Sequence, residues 1–336
     1  MANLSFSMLV FVIASIYPAF SFCKTTSSSS IASEQLKYWY ENVQNNMPGA
    51  LLSKLSPLNK DDSEFFTSSA SKQSFSSNAK FCSLANLACY AEMNSIKPLG
   101  NGYGYNNNKA SPGLENVDPF SFFRISIFKQ GNRVHLSNLE DQFPQRSFLP
   151  SQIASKISLD ESNLEKVFPQ SFVNPNTKGN IETTLLYCNS AALKGEIKSC
   201  STSLESMIEF SKATLGSKGL VALTTKSTEG SGKELIIQKI KKLNVKKIVS
   251  CHEVFLPFST YFCHMLSSTE IYAVDVVEPK TKAPVNTILA ICHMDTSAWP
   301  SYHAAFKILK LSPGKGEACH WMTQIDLLWI SAEENV

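Results

Sequence analysis

No apolar run in this chain reaches the length of a membrane-spanning helix. The longest near the N-terminus, Met8 to Tyr17 (MLVFVIASIY), is about ten residues where roughly twenty are needed to cross a bilayer. That length suits the core of a secretory signal instead. Pro18 breaks the run, and small residues follow at Ala19 and Ser21. The positive segment that usually precedes such a core is missing, since no Lys or Arg occurs before Lys24. The chain also has no Asn-X-Ser/Thr acceptor after Asn3, so a secreted form would carry no N-linked glycan. Histidine is scarce as well, with six in 336 residues, and four of the six directly follow a cysteine.

The reading is therefore a signal over residues 1–23, no membrane association after its removal, and a secreted protein. Cleavage after Cys23 leaves eight of the nine cysteines, an even number suited to a disulfide framework in an oxidising compartment. That compartment argues against nucleic acid as a partner. The net charge of +3 hides an asymmetry: nine lysines between Lys212 and Lys247 face only Glu229 and Glu234. Such a run is either a solvated surface or a face for an acidic polysaccharide.

Local patterns divide the chain into a helical part followed by a β-rich part, an α+β arrangement. Leu36, Tyr40, Val43 and Met47 predict an amphipathic helix within 34–55, stopped near Pro48-Gly49. Residues 61–80 are Ser-rich and read as irregular, with Cys82 and Cys89 closing a local loop. The stretch 98–119, with GNGYGYNNN, reads as a linker between an N-terminal region (24–119) and a second domain (120–336). Three helices are expected next. One follows a capping box at Ser158 and Glu161, one covers 181–193, and one runs from the Thr202 and Glu205 capping box to Gly216. A Cys188–Cys200 bond would staple the last two into a hairpin. Beyond Gly219 the period changes to two, and 220–223, 235–240, 247–249, 271–277, 288–291 and 306–311 read as strands.

Four Cys-His dipeptides punctuate this β-rich part: Cys251-His252, Cys263-His264, Cys292-His293 and Cys319-His320. Adjacent side chains on a strand point to opposite faces, so a cysteine and its own histidine can hardly share one ion. Two jobs follow: cysteines paired with one another, and histidines His252, His264, His293 and His320 gathered separately, with His303 close in sequence. Imidazole-rich sites suit copper or zinc. Two Cys2His2 zinc sites, and histidines that are merely structural, are the competing readings.

The spacing of the dipeptides, with ten, 27 and 25 residues between them and eight more before Trp329, resembles the signature of the plant BURP domain. The likeness extends to FFRISIFKQGNRVHLSNLEDQFPQRSFLP at 122–150, to Tyr38-Trp39, to SPLN at 56–59 and to FCSLANLAC at 81–89. These segments resemble the non-catalytic beta subunit of polygalacturonase. FFRI stands where that subunit has FFRE, and its long aromatic repeat array is absent here or reduced to GNGYGYNNN. The resemblance implies a secreted protein of the apoplast and cell wall, with polygalacturonase or pectin as partner. It also implies an alternative, since some family members are copper-dependent cyclases that join a Tyr or Trp side chain to another position of a core peptide. Gln35 to Trp39, Tyr103 and Tyr105 are the candidate sites of such chemistry here.

Overall fold

In a computed structural model, residues 30–71, 79–91 and 118–334 are described. The expected signal and most of the linker, including Tyr103 and Tyr105, lie outside them. The α+β reading holds: helices dominate the N-terminal part, and the C-terminal part is antiparallel sheet.

Among the described residues, ten strands form two five-stranded sheets. Sheet I has the order β2 (Glu196–Ser201), β6 (Ser259–Leu266), β5 (Val249–Phe255), β10 (Leu327–Ser331), β3 (Leu220–Leu223). Sheet II has the order β1 (Arg133–His135), β4 (Glu234–Leu243), β7 (Thr269–Val277), β8 (Pro284–His293), β9 (Ala318–Trp321). The sheets pack face to face. Val221, Leu223, Leu328 and Ile330 of sheet I meet Ile271, Leu289 and Ile291 of sheet II in one apolar layer.

Both outer faces are covered too. On sheet I, Cys251, Tyr261, Cys263 and Trp329 pack against Trp39 of α1 (Ile31–Asn42) and Met207 and Ile208 of α8 (Leu204–Leu215). Trp39 lies 5.5 Å from Trp329 between ring centroids. On sheet II, Val274, Ile288, Cys292 and Trp321 pack against Phe123, Val134, Leu136 and Leu139 of the segment that precedes and follows β1. The N-terminal helices are thus not a separate body in their packing. They complete the core that the strands begin. A second cluster joins Phe66 of α3 (Lys60–Ser71) and Phe81 of α4 (Ala79–Leu84) to Phe255 and Phe258 at the β5–β6 turn.

Several local expectations change. The helix read across 34–55 ends at Asn42, and α2 (Gly49–Leu52) is a separate turn. Ser-rich residues 61–71 are helical, because Phe66 and Ala70 present an apolar face that tertiary packing covers. Caps fall near the expected boxes: Asp160 begins α6 (Glu161–Val167) and Ser203 begins α8, which Gly216 ends in the left-handed conformation with φ +66°. The 181–193 helix is α7, Pro175–Asn189. Cys188 is bonded to Cys200, but Cys200 lies on β2, so the bond ties a helix to a strand rather than to a second helix. The segment read as a strand at 306–311 is α9 (Ala304–Leu309), with His303 accepting the Ala305 N–H at its start. Phe306 there is buried in a cluster with Trp299, Phe122 and Ala318 of β9.

Candidate functional site

The β5–β6 hairpin sets Cys251 directly opposite Cys263, and β8–β9 sets Cys292 opposite Cys319. Each pair is disulfide-bonded across its own sheet, and Cys82–Cys89 closes the short N-terminal loop. All four motif cysteines face outward, into the layers that cover the sheets. The pleat then turns every following histidine inward. His252 and His264 are diagonal neighbours on sheet I, opposite Phe262 and Ser250; His293 and His320 are diagonal neighbours on sheet II, opposite Ala318 and Ile291. Two Cys2His2 sites are ruled out by the disulfides.

Between the sheets the four rings form a circuit. Centroids are 5.6 Å apart for His252–His264, 6.0 Å for His264–His293, 5.8 Å for His293–His320 and 5.5 Å for His320–His252. All four are buried. The Nε2 atoms of His293 and His320 are buried and make no protein hydrogen bond. These four side chains are the ones that could hold an ion. Their circuit is wider than four nitrogens at about 2.0–2.1 Å from one centre would give, and no three or more His, Cys, Asp or Glu groups among the described residues are already closed to metal-binding geometry.

The outer nitrogens are held by different partners. His252 Nδ1 lies 3.3 Å from Asp326 Oδ1, and His264 Nδ1 lies 3.1 Å from Glu196 Oε1. His293 Nδ1 lies 3.2 Å from Thr269 Oγ1, and His320 Nδ1 is 3.2 Å from the Trp321 carbonyl oxygen. Burial disfavours the imidazolium. It drives His264 below its ordinary value, His293 well below, and His320 down to about 3, with the neighbouring histidines adding to the effect. Burial pushes the Glu196 and Asp326 carboxyls up, but the paired histidines outweigh it and both settle below the ordinary range. Burial thus disfavours the cation at His264, His293 and His320, and two carboxylates flank the cluster.

His303 is not part of the circuit. Its ring packs on Trp299 and Phe122, at 4.3 Å and 5.7 Å between centroids, and these rings also meet His293 at 5.2 Å and His320 at 5.9 Å. Its Nδ1 accepts the Ala305 N–H, which leaves the ring proton on Nε2. As it stands, that nitrogen is a donor and not a ligand. Glu196, Asp326 and Thr269 have no spacing signature that sequence reading would catch. The one cue is that Asp326 is the sole charge in the apolar stretch Ile325–Ile330.

A second buried polar cluster lies on the other face of β5. Glu253 Oε1 meets Lys54 Nζ at 2.9 Å and an Arg146 nitrogen at 3.0 Å, and Lys54 also pairs with Asp141 at 2.8 Å. It ties the turn after α2 and the 141–146 segment to sheet I.

The comparisons agree with this architecture. Residues 121–331 match the family model described as the BURP domain. The chain is 38% identical over 223 residues to "Polygalacturonase-1 non-catalytic subunit beta" of Solanum lycopersicum, covering 65% of this chain and 35% of that protein. It is 37% identical over 222 residues to "Polygalacturonase 1 beta-like protein 1" of Arabidopsis thaliana, covering 65% and 36%. It is 30% identical over 354 aligned positions to "BURP domain-containing protein 16" of Oryza sativa subsp. japonica, covering 98% of both. The chain thus spans little more than a third of the polygalacturonase-named relatives. Two outward disulfides, four inward histidines and a match across the whole β-rich region lead to one assignment: this chain belongs to the plant BURP-domain family.

Proposed function

We propose that this protein is a secreted, non-catalytic component of the plant cell wall that associates with polygalacturonase and with its anionic substrate, pectin. The relatives named as non-catalytic polygalacturonase subunits support the first association. The observation that carries the second is the division of the lysine run by strand β4. Lys239 and Lys241 lie opposite Asp275 and Ala273 of β7, are exposed, and form no ion pair among the described residues. Lys242 lies opposite Tyr272, on the other face, and pairs with Glu270 at 2.6 Å. Lys226, Gln238, Thr287 and the Asp275 carboxylate line an open groove on the Lys239 side together with Val276, Pro284 and Val285. Cations, amides and hydroxyls beside one another suit a chain of sugar carboxylates and hydroxyls. Retention on immobilised polygalacturonate at low ionic strength tests this. Retention should fall with added salt and with Lys239→Gln/Lys241→Gln, while Lys242→Gln changes it little. Equal retention of the parent and both variants would make the run a solvated surface.

A second reading is favoured by the histidine circuit: copper held there, with the chain acting as a cyclase on an aromatic side chain. Four buried imidazoles, with burial disfavouring the cation at three of them, fit a copper ion, which supplies one-electron chemistry that zinc lacks. The rings would have to close inward to bind it. Phe122, against His320, brings the chain that follows the Tyr103 and Tyr105 segment to the edge of the site. Incubating residues 24–336 with Cu(II) and comparing intact and digested masses separates the readings. Loss of a hydrogen pair within one peptide supports the cyclase, and an unchanged mass supports the non-catalytic role.

A further inference from the structure

The four histidines are alike in burial but not in what stands behind them. On sheet I both outer nitrogens face carboxylates; on sheet II they face a hydroxyl and a carbonyl. The carboxylates are themselves pinned. Asp326 Oδ2 accepts the Thr323 N–H at 2.9 Å and the Thr323 hydroxyl at 2.8 Å, and Glu196 Oε2 accepts the Leu193 N–H at 2.8 Å. Every partner of these two carboxylates is a donor, so the proton between each carboxylate and its histidine belongs to the imidazole Nδ1. In His252 and His264 a proton on Nδ1 places the ring's lone pair on Nε2. They also gain basicity from a negative charge directly behind the ring.

Sheet II offers less. The Trp321 carbonyl fixes the His320 tautomer but brings no charge. Thr269 Oγ1 donates to the Leu266 carbonyl at 3.1 Å while facing His293 Nδ1. A hydroxyl can rotate to donate to that nitrogen instead, which would move the His293 proton to Nε2 and remove its lone pair from the circuit.

We propose that Glu196 and Asp326 are positioning residues that make the sheet I histidines the anchoring half of a transition-metal site, and that His293, backed only by Thr269, is its exchangeable ligand. The inference rests on the reading of the circuit as a copper site. It gives the two halves different tasks: one retains the ion, and the other yields a position to an incoming group. No activity is required to see this difference, because it resides in affinity and in the ion's spectrum.

The test is copper binding by the secreted chain, measured by competition with a chelator and by electron paramagnetic resonance. Parent, Glu196→Gln, Asp326→Asn, Thr269→Val and the fourfold His252→Ala/His264→Ala/His293→Ala/His320→Ala variant are compared, with near-UV circular dichroism confirming the fold of each. Glu196→Gln and Asp326→Asn should each weaken affinity by about 10–100-fold and alter the copper hyperfine pattern, whereas Thr269→Val should change affinity by less than about threefold. Glu196→Asp, which restores the charge, should recover part of the loss. Parent-like affinity and spectra in both carboxylate variants, or an equal loss in Thr269→Val, would overturn the division of labour. Copper binding that persists unchanged in the fourfold variant would overturn the metal reading itself.

Discussion

His252 and Glu253 are neighbours on β5, both buried, and they serve opposite kinds of polar cluster. Glu253 points outward into a balanced set of two cations and two anions that binds the N-terminal part to sheet I. His252 points inward to a circuit of four rings, each with its Nδ1 beside an oxygen. A buried charge network is complete when its charges cancel, and such a network is a device for holding segments together. The buried imidazole cluster is not built from a set of opposed charges that cancel. The difference separates a structural joint from a candidate site, one residue apart on the same strand.

Acid should expose the difference most strongly. A histidine held below its ordinary 6.5 when folded binds fewer protons folded than unfolded. Its contribution is complete above that value and is lost as pH falls towards about 3 for His320. Glu253 works with the opposite sign, since burial pushes its carboxyl up, so it cannot cause a loss on acidification. Metal-free protein should therefore lose thermal stability steadily between pH 6.5 and 4. A flat melting temperature across that range would show that the rings are not held neutral by the fold.

The joint is tested by removing one partner. Lys54→Met or Arg146→Met leaves Glu253 short of a cation in an apolar setting and should cost about 3–5 kcal/mol in urea unfolding. A loss below about 1 kcal/mol would mean that the network carries no such load. His293→Ala, by contrast, should cost only about 1–2 kcal/mol while copper stoichiometry falls, and a collapse of the fold would move the circuit to the structural side. The smallest effect belongs to Lys242→Gln. It breaks a largely exposed pair with Glu270, worth about 0.2–1 kcal/mol, and a larger loss would place Lys242 in the core rather than on the surface.

Much of the candidate site was legible in the sequence because it depends on a period of two. Four Cys-His dipeptides in apolar, β-branched surroundings imply alternating faces, and alternating faces imply that disulfides and histidines separate. Elements with ambiguous short patterns were not legible. Residues 306–311 carry apolar side chains at a spacing that suits either strand or helix, and burial against Trp299 and Phe122 decided for helix. Ser-rich 61–71 carries little intrinsic signal, and its helix is supported by the packing of Phe66 and Ala70. His303, near the motif in sequence, caps α9 and packs on Trp299 and Phe122.

The sequence alone determined the family, the alternation that turns cysteines and histidines apart, and the pairing of the motif cysteines among themselves, because each depends on spacing along one chain. Only the tertiary structure decided that the histidines come two from each of two sheets, and that carboxylates back one pair but not the other. Glu196 and Asp326 lie 68 and 74 residues from the histidines they hold. Contacts of that range are set by how the sheets pair and stack, and no local pattern records them.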